Sequence, residues 1–189
     1  MSSFLYSSPL NPIPQLGSVQ QAAIDLSSRA GAILLHSHLD PSIAEHIADS
    51  IEDGETGSFQ DGGRCVYDVG READALCTST VSAIIREASL GSVLPRVSRA
   101  VVITSFPGAD PTELAAIPAP PHTACFLQTL VRGEDQPSAT REFEGGWRAE
   151  LKCGDLLLWR ADRALCENGN NAYELGEVVL CSLAPEVAL

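Results

Sequence analysis

From Val97 onward the chain breaks into short apolar runs, at 97–106, 123–131, 141–151, 155–160 and 177–183, separated by Pro, Gly and Asn. Before Val97 the apolar residues fall mainly at helical spacing. Helices first and many short strands afterwards is an α+β order. Strands separated by turn signals close more readily into a sandwich or barrel than into a parallel sheet, which needs a helical crossover between strands. The pattern therefore predicts a small antiparallel barrel or jelly roll with N-terminal helices packed outside it.

The first half supplies those helices. Residues 1–15, rich in Ser and Pro with few charges, are expected to form an extended arm. Residues 16–189 are expected to form a single domain, with helical support over about 16–90 and the barrel over about 97–185. Leu16, Val19, Ala23 and Leu26 lie close to one face of a helix over 15–29 that ends at Gly31. Ala32 to Leu35 then reads as a buried strand. Asp40-Pro41 starts a second helix, with Asp as N-cap and Pro at the first helical position, running to about Asp53-Gly54. Residues 52–63 read as a Gly- and acid-rich loop and 64–68 as a short strand. Residues 71–88 place Ala73, Leu76, Cys77, Val81, Ile84 and Ala88 along one face of a third helix.

Charge excludes whole classes of partner. Among the 189 residues, 25 are acidic and 12 basic, a formal charge of −13. Phosphate backbones are bound by clustered Lys and Arg, so no nucleic-acid partner is expected, and an anionic membrane surface is equally disfavoured. No apolar run approaches the roughly 18–20 residues of a membrane span. The first residues lack the basic and apolar stretches of a secretory signal, so a cytoplasmic location is expected. The six cysteines (Cys65, Cys77, Cys125, Cys153, Cys166 and Cys181) form no CxxC pair. They are expected to be reduced and mostly buried, since finger-type zinc sites need closely spaced ligand pairs.

Four segments carry a family resemblance, the strongest within 101–117 and 154–165. Ser105-Phe-Pro-Gly108, leading on to Ile117, resembles the entry into the double-stranded β-helix of the 2-oxoglutarate/Fe(II)-dependent oxygenases, in particular the prolyl-hydroxylase-like and phytanoyl-CoA-hydroxylase-like branches. Gly154-Asp-Leu-Leu-Leu-Trp-Arg-Ala-Asp162 is similar to the late strand that leads to their distal iron-binding His, Gly145-Gly146-Trp147 resembles the loop ahead of it, and 176–183 resembles the last strand. The resemblance implies a cupin-like jelly roll. It also implies an iron site of two imidazoles and one carboxylate, with three positions left for 2-oxoglutarate and oxygen. At the matching positions stand Ala115, Ile117 and Leu165, none of which can ligate a metal. Gly176 or Glu177 falls where an Arg would grip the far carboxylate of 2-oxoglutarate, and a Glu there would repel it. The chain thus reads as a degenerate member, with no metal and no cofactor expected.

Pro121-His122-Thr123-Ala124 resembles the His-x-Ala of iron-dependent halogenases, but those need a second, later His, and none follows His122. A substitute metal site from His122, Cys125 and Cys166 or Asp162 has no supporting spacing. His36-Ser-His38 could place two imidazoles on one face of a strand, although its position before a helix cap reads as a surface turn.

Replacing His, Asp and Arg by Ala, Ile and Leu would make the family's polar site apolar. The expected ligand is a small, largely apolar organic molecule, in a pocket of Ala115, Ile117, Leu165, Gln128 and Arg160. His122, Asp162 and Glu177 are the candidate acid/base residues. Two functions follow: a cofactor-free cyclase, isomerase or dehydratase of a biosynthetic pathway, or a pseudoenzyme that binds a ligand, a partner protein or a second copy. A true dioxygenase with atypical ligands is the third reading.

Overall fold

The computed structural model describes residues 11–12, 17–50, 58–60, 64–88, 95–105, 121–132, 138–163 and 176–185. Its strands are β1 (Asn11–Pro12), β2 (Ala32–Leu35), β3 (Ser58–Gln60), β4 (Arg64–Val69), β5 (Pro95–Ser105), β6 (Cys125–Arg132), β7 (Ser138–Phe143), β8 (Trp147–Lys152), β9 (Leu156–Arg160) and β10 (Gly176–Pro185). The helices are α1 (Val19–Ser27), α2 (Pro41–Asp49) and α3 (Ser79–Glu87), with a 3-10 helix over Arg71–Leu76.

A seven-stranded sheet runs β2-β9-β6-β10-β5-β4-β3, antiparallel throughout. A three-stranded sheet, β1-β8-β7, lies against it, and β1 within the N-terminal arm pairs in parallel with β8. Burial explains why β2 and residues 156–159 of β9 are apolar at every position. Leu156 and Leu158 of β9 pack with the helices on one face, while Leu157 and Trp159 pack toward the smaller sheet on the other. Val179 and Cys181 against Val178 and Leu180 repeat this division on β10, as do Val102 against Val101 and Ile103 on β5. A strand covered on both faces needs no polar alternation. In β8, by contrast, buried Ala149 and Leu151 alternate with exposed Arg148, Glu150 and Lys152, so the smaller sheet turns one face to solvent.

The helices cover the other face of the larger sheet. Ser18, Asp40 and Thr78 cap their N-termini, each side chain accepting a backbone N–H of the first turn. Leu26, Ile47 and Ile84 are fully buried beneath them. Burial of such a side chain contributes roughly 1.5–3 kcal/mol, and Ile84→Ala, which also leaves a cavity, would cost about 2–5 kcal/mol.

Several elements depart from the sequence reading. The helix expected over 15–29 ends at Ser27, because the hydroxyl and N–H of Ser28 both turn back onto the carbonyl of Asp25. The second helix ends at Asp49, where the N–H and hydroxyl of Ser50 return to the last turn, and residues 51–57 lie outside the described residues. Ser58–Gln60, expected in a loop, is a strand paired with β4. The helix expected over 71–88 is two: Thr78, extended and capping α3, interrupts it after the 3-10 turn. The single strand expected over 141–151 is the β7–β8 hairpin, reversed at Gly145 and Gly146, whose φ of 90° and 77° glycine adopts without steric cost. No helix among the described residues is long and apolar enough to cross a membrane.

Candidate functional site between the sheets

Among the described residues, the buried side chains between the sheets are apolar except for Gln128 and Arg141. Phe126, Leu130, Leu157, Trp159, Val178 and Leu180 face it from the larger sheet, and Phe143, Ala149 and Leu151 from the smaller. Gln128 takes the same side of β6 as Phe126 and Leu130, and its register partners are Leu157 on β9 and Leu180 on β10. Arg141 stands two residues before Phe143 on β7, opposite Ala149 of β8. The two meet across the layer: Nε of Arg141 donates to Oε1 of Gln128 at 2.9 Å. Gln128 is 1% exposed and Arg141 5%.

The carbonyl end of the Gln128 amide is therefore committed. Its Nε2 has no hydrogen-bond partner. Flipping the amide would set NH2 against the N–H of Arg141, donor to donor, so reorientation does not relieve the orphan. One row along the strands, an aromatic cluster borders the pair. The Phe126 and Trp159 rings lie 5.4 Å apart between centroids, and Phe143 meets Trp159 edge-on at 5.9 Å. The arrangement leaves one amide donor, beside a guanidinium, among aromatic and aliphatic side chains.

Of the residues expected to act, His122 and Asp162 lie in turns at one end of the β6–β9 pair, and Glu177 pairs at the other end of β6. His122 is exposed in the turn before β6, with a left-handed φ of 67°. Asp162 has a side chain 61% exposed and is paired with Arg160, whose Nε donates to Oδ1 at 2.8 Å and whose terminal nitrogen donates to Oδ2. The Arg160 hydrogen bonds hold the Asp162 carboxyl below its ordinary value. Arg160 also reaches the carbonyl of Ser27, so this pair ties the end of β9 to the end of α1. Glu177 lies in β10, paired with Thr104 and Arg132. Ala115, Ile117, Leu165 and Cys166 lie outside the described residues. Of the expected pocket, Gln128 is the described residue that faces the layer. Its partner Arg141 was not anticipated, although the signal was present: a charged residue in the alternation of Phe143, Trp147, Ala149 and Leu151.

The buried carboxylate of Asp155 is engaged at the strand ends. Oδ1 accepts the N–H of Ser37 at 2.8 Å, and Oδ2 accepts the N–H of Lys152 at 3.0 Å and Nδ1 of His36 at 3.1 Å. His38 places Nε2 3.1 Å from Oγ1 of the cap residue Thr78, and His46 is exposed on α2. Cys125 and Cys181 are buried free thiols, and burial pushes both up, Cys125 to about 12.

The iron set implied by the resemblance can be weighed against these positions. The chain has four His, and their described places are two strand-end and cap hydrogen bonds and two exposed sites. Among the described residues, no group of three His, Cys, Asp or Glu side chains stands together to hold a metal. The buried side chains described between the sheets present an amide and a guanidinium as their polar groups, and a guanidinium has no lone pair for a metal. These residues do not fit a two-imidazole, one-carboxylate centre.

No protein-family model matches the sequence, and no curated protein matches it. Solved structures match the fold. A 2OG-Fe(II) oxygenase family oxidoreductase from Burkholderia pseudomallei superposes with a TM-score of 0.61 at 9% identity, over 94% of this chain and 95% of that one. A Pseudomonas putida prolyl-4-hydroxylase superposes with a TM-score of 0.60 at 13% identity, over 89% of this chain and 99% of that one. Two facing sheets with helices on the outer face of the larger one, together with these likenesses, identify the fold as the double-stranded β-helix of the 2-oxoglutarate/Fe(II) oxygenases.

Proposed function

We propose that this chain is a metal-independent binding protein on an oxygenase fold, holding a small, largely apolar organic molecule between its two sheets without turning it over. The observation that carries the reading is the composition of that layer. Aromatic and aliphatic side chains surround one amide–guanidinium pair, and His122 and Asp162, two of the residues expected to move protons, are exposed in turns at the strand ends. Ala115, Ile117 and Leu165 at the positions where the family has its iron ligands support the same reading from the sequence. Interiors of this kind, apolar with a few placed polar groups, are the usual form of small-molecule sites.

The test is isothermal titration of the metal-stripped full chain with Mn(II), an oxygen-stable stand-in for Fe(II), with and without 2-oxoglutarate. No stoichiometric binding is expected. Tight binding of both would overturn the reading and return the protein to the dioxygenases with an atypical ligand set. Conversion of a candidate substrate, lost in His122→Ala or Asp162→Ala, would replace the binding module by a cofactor-free cyclase, isomerase or dehydratase.

A further inference from the structure

We draw no further inference here: the strongest candidate, the side-chain cluster in which the exposed imidazole of His36 meets the buried Asp155 carboxylate between the turn after β2 and the turn before β9, carries nothing further, because that carboxylate is already committed to the backbone N–H groups of Ser37 and Lys152 and, among the described residues, no group of three His, Cys, Asp or Glu side chains stands together to hold a metal.

Discussion

Nε of Arg141 on the smaller sheet donates to Oε1 of Gln128 on the larger one at 2.9 Å, among described neighbours that are aliphatic and aromatic. Removing one member leaves the other desolvated. Arg141→Met is expected to destabilise the chain by about 2–4 kcal/mol, the scale seen when a buried polar or charged partner is withdrawn. Adding Gln128→Leu should restore at least about 1 kcal/mol of that loss, because the second change removes the amide left without its donor. Urea denaturation of the two single variants and the double variant measures this coupling, and strictly additive losses would show the contact to be energetically silent.

Gly154 and Leu39 approach each other closely enough to dictate the residue at 154. Gly154 has φ of 85°, and a Cβ there would stand 3.0 Å from the carbonyl oxygen of Leu39, whose N–H in turn donates to the Gly154 carbonyl at 2.9 Å. Gly154→Ala thus meets backbone on a segment already hydrogen-bonded in place. The expected loss is about 1–3 kcal/mol, combining left-handed strain with the contact. A urea midpoint unchanged from wild type would refute it.

Much of this fold is written locally, and the departures have physical causes. The apolar run of β9 and the Asp40-Pro41 cap are readable because burial on both faces and a first-turn cap each leave a local mark. The β7–β8 hairpin is hidden by arithmetic. Phe143 and Trp147 stand an even number of positions apart, so the alternation of inner residues runs through Gly145 and Gly146 as if no turn were there. The 3-10 and α3 elements share one apolar face, and only the extended Thr78 divides them. For the site, Gln128 was legible as an inward polar residue. Its contact with Arg141 depends on how two sheets face each other, which no periodicity within one strand encodes.

Asp155 gathers three partners on one carboxylate, the Ser37 and Lys152 N–H groups and the His36 imidazole, and so ties the turn after β2 to the turn between β8 and β9. An Asn cannot replace it: with its oxygen on Ser37, its NH2 would face the N–H of Lys152. Both Asp155→Asn and Asp155→Ala are therefore expected to destabilise by about 1–3 kcal/mol, each leaving part-buried backbone donors without their acceptor. Hydrogen exchange distinguishes this from a general loss of stability. The Ser37 and Lys152 amides should lose protection first, and full protection there in Asp155→Asn would show that the carboxylate is not what holds them.

The buried thiols give the chain an alkaline limit. Burial pushes Cys125 from an ordinary value of 9.0 up to about 12, and pushes Cys181 in the same direction. The unfolded chain therefore releases these protons at lower pH than the folded one. Stability from each thiol is fully present below about pH 9 and is lost as pH rises through the folded value, with a slope near 1.4 kcal/mol per pH unit for one group in the window between. For Cys125 that window runs from 9 to about 12. Denaturant midpoints measured across it should fall more steeply in wild type than in Cys125→Ala, which has no proton to release at that position. Parallel slopes would mean that the thiol ionises in the folded chain as easily as in the unfolded one, and that water reaches Cys125 beneath the helices.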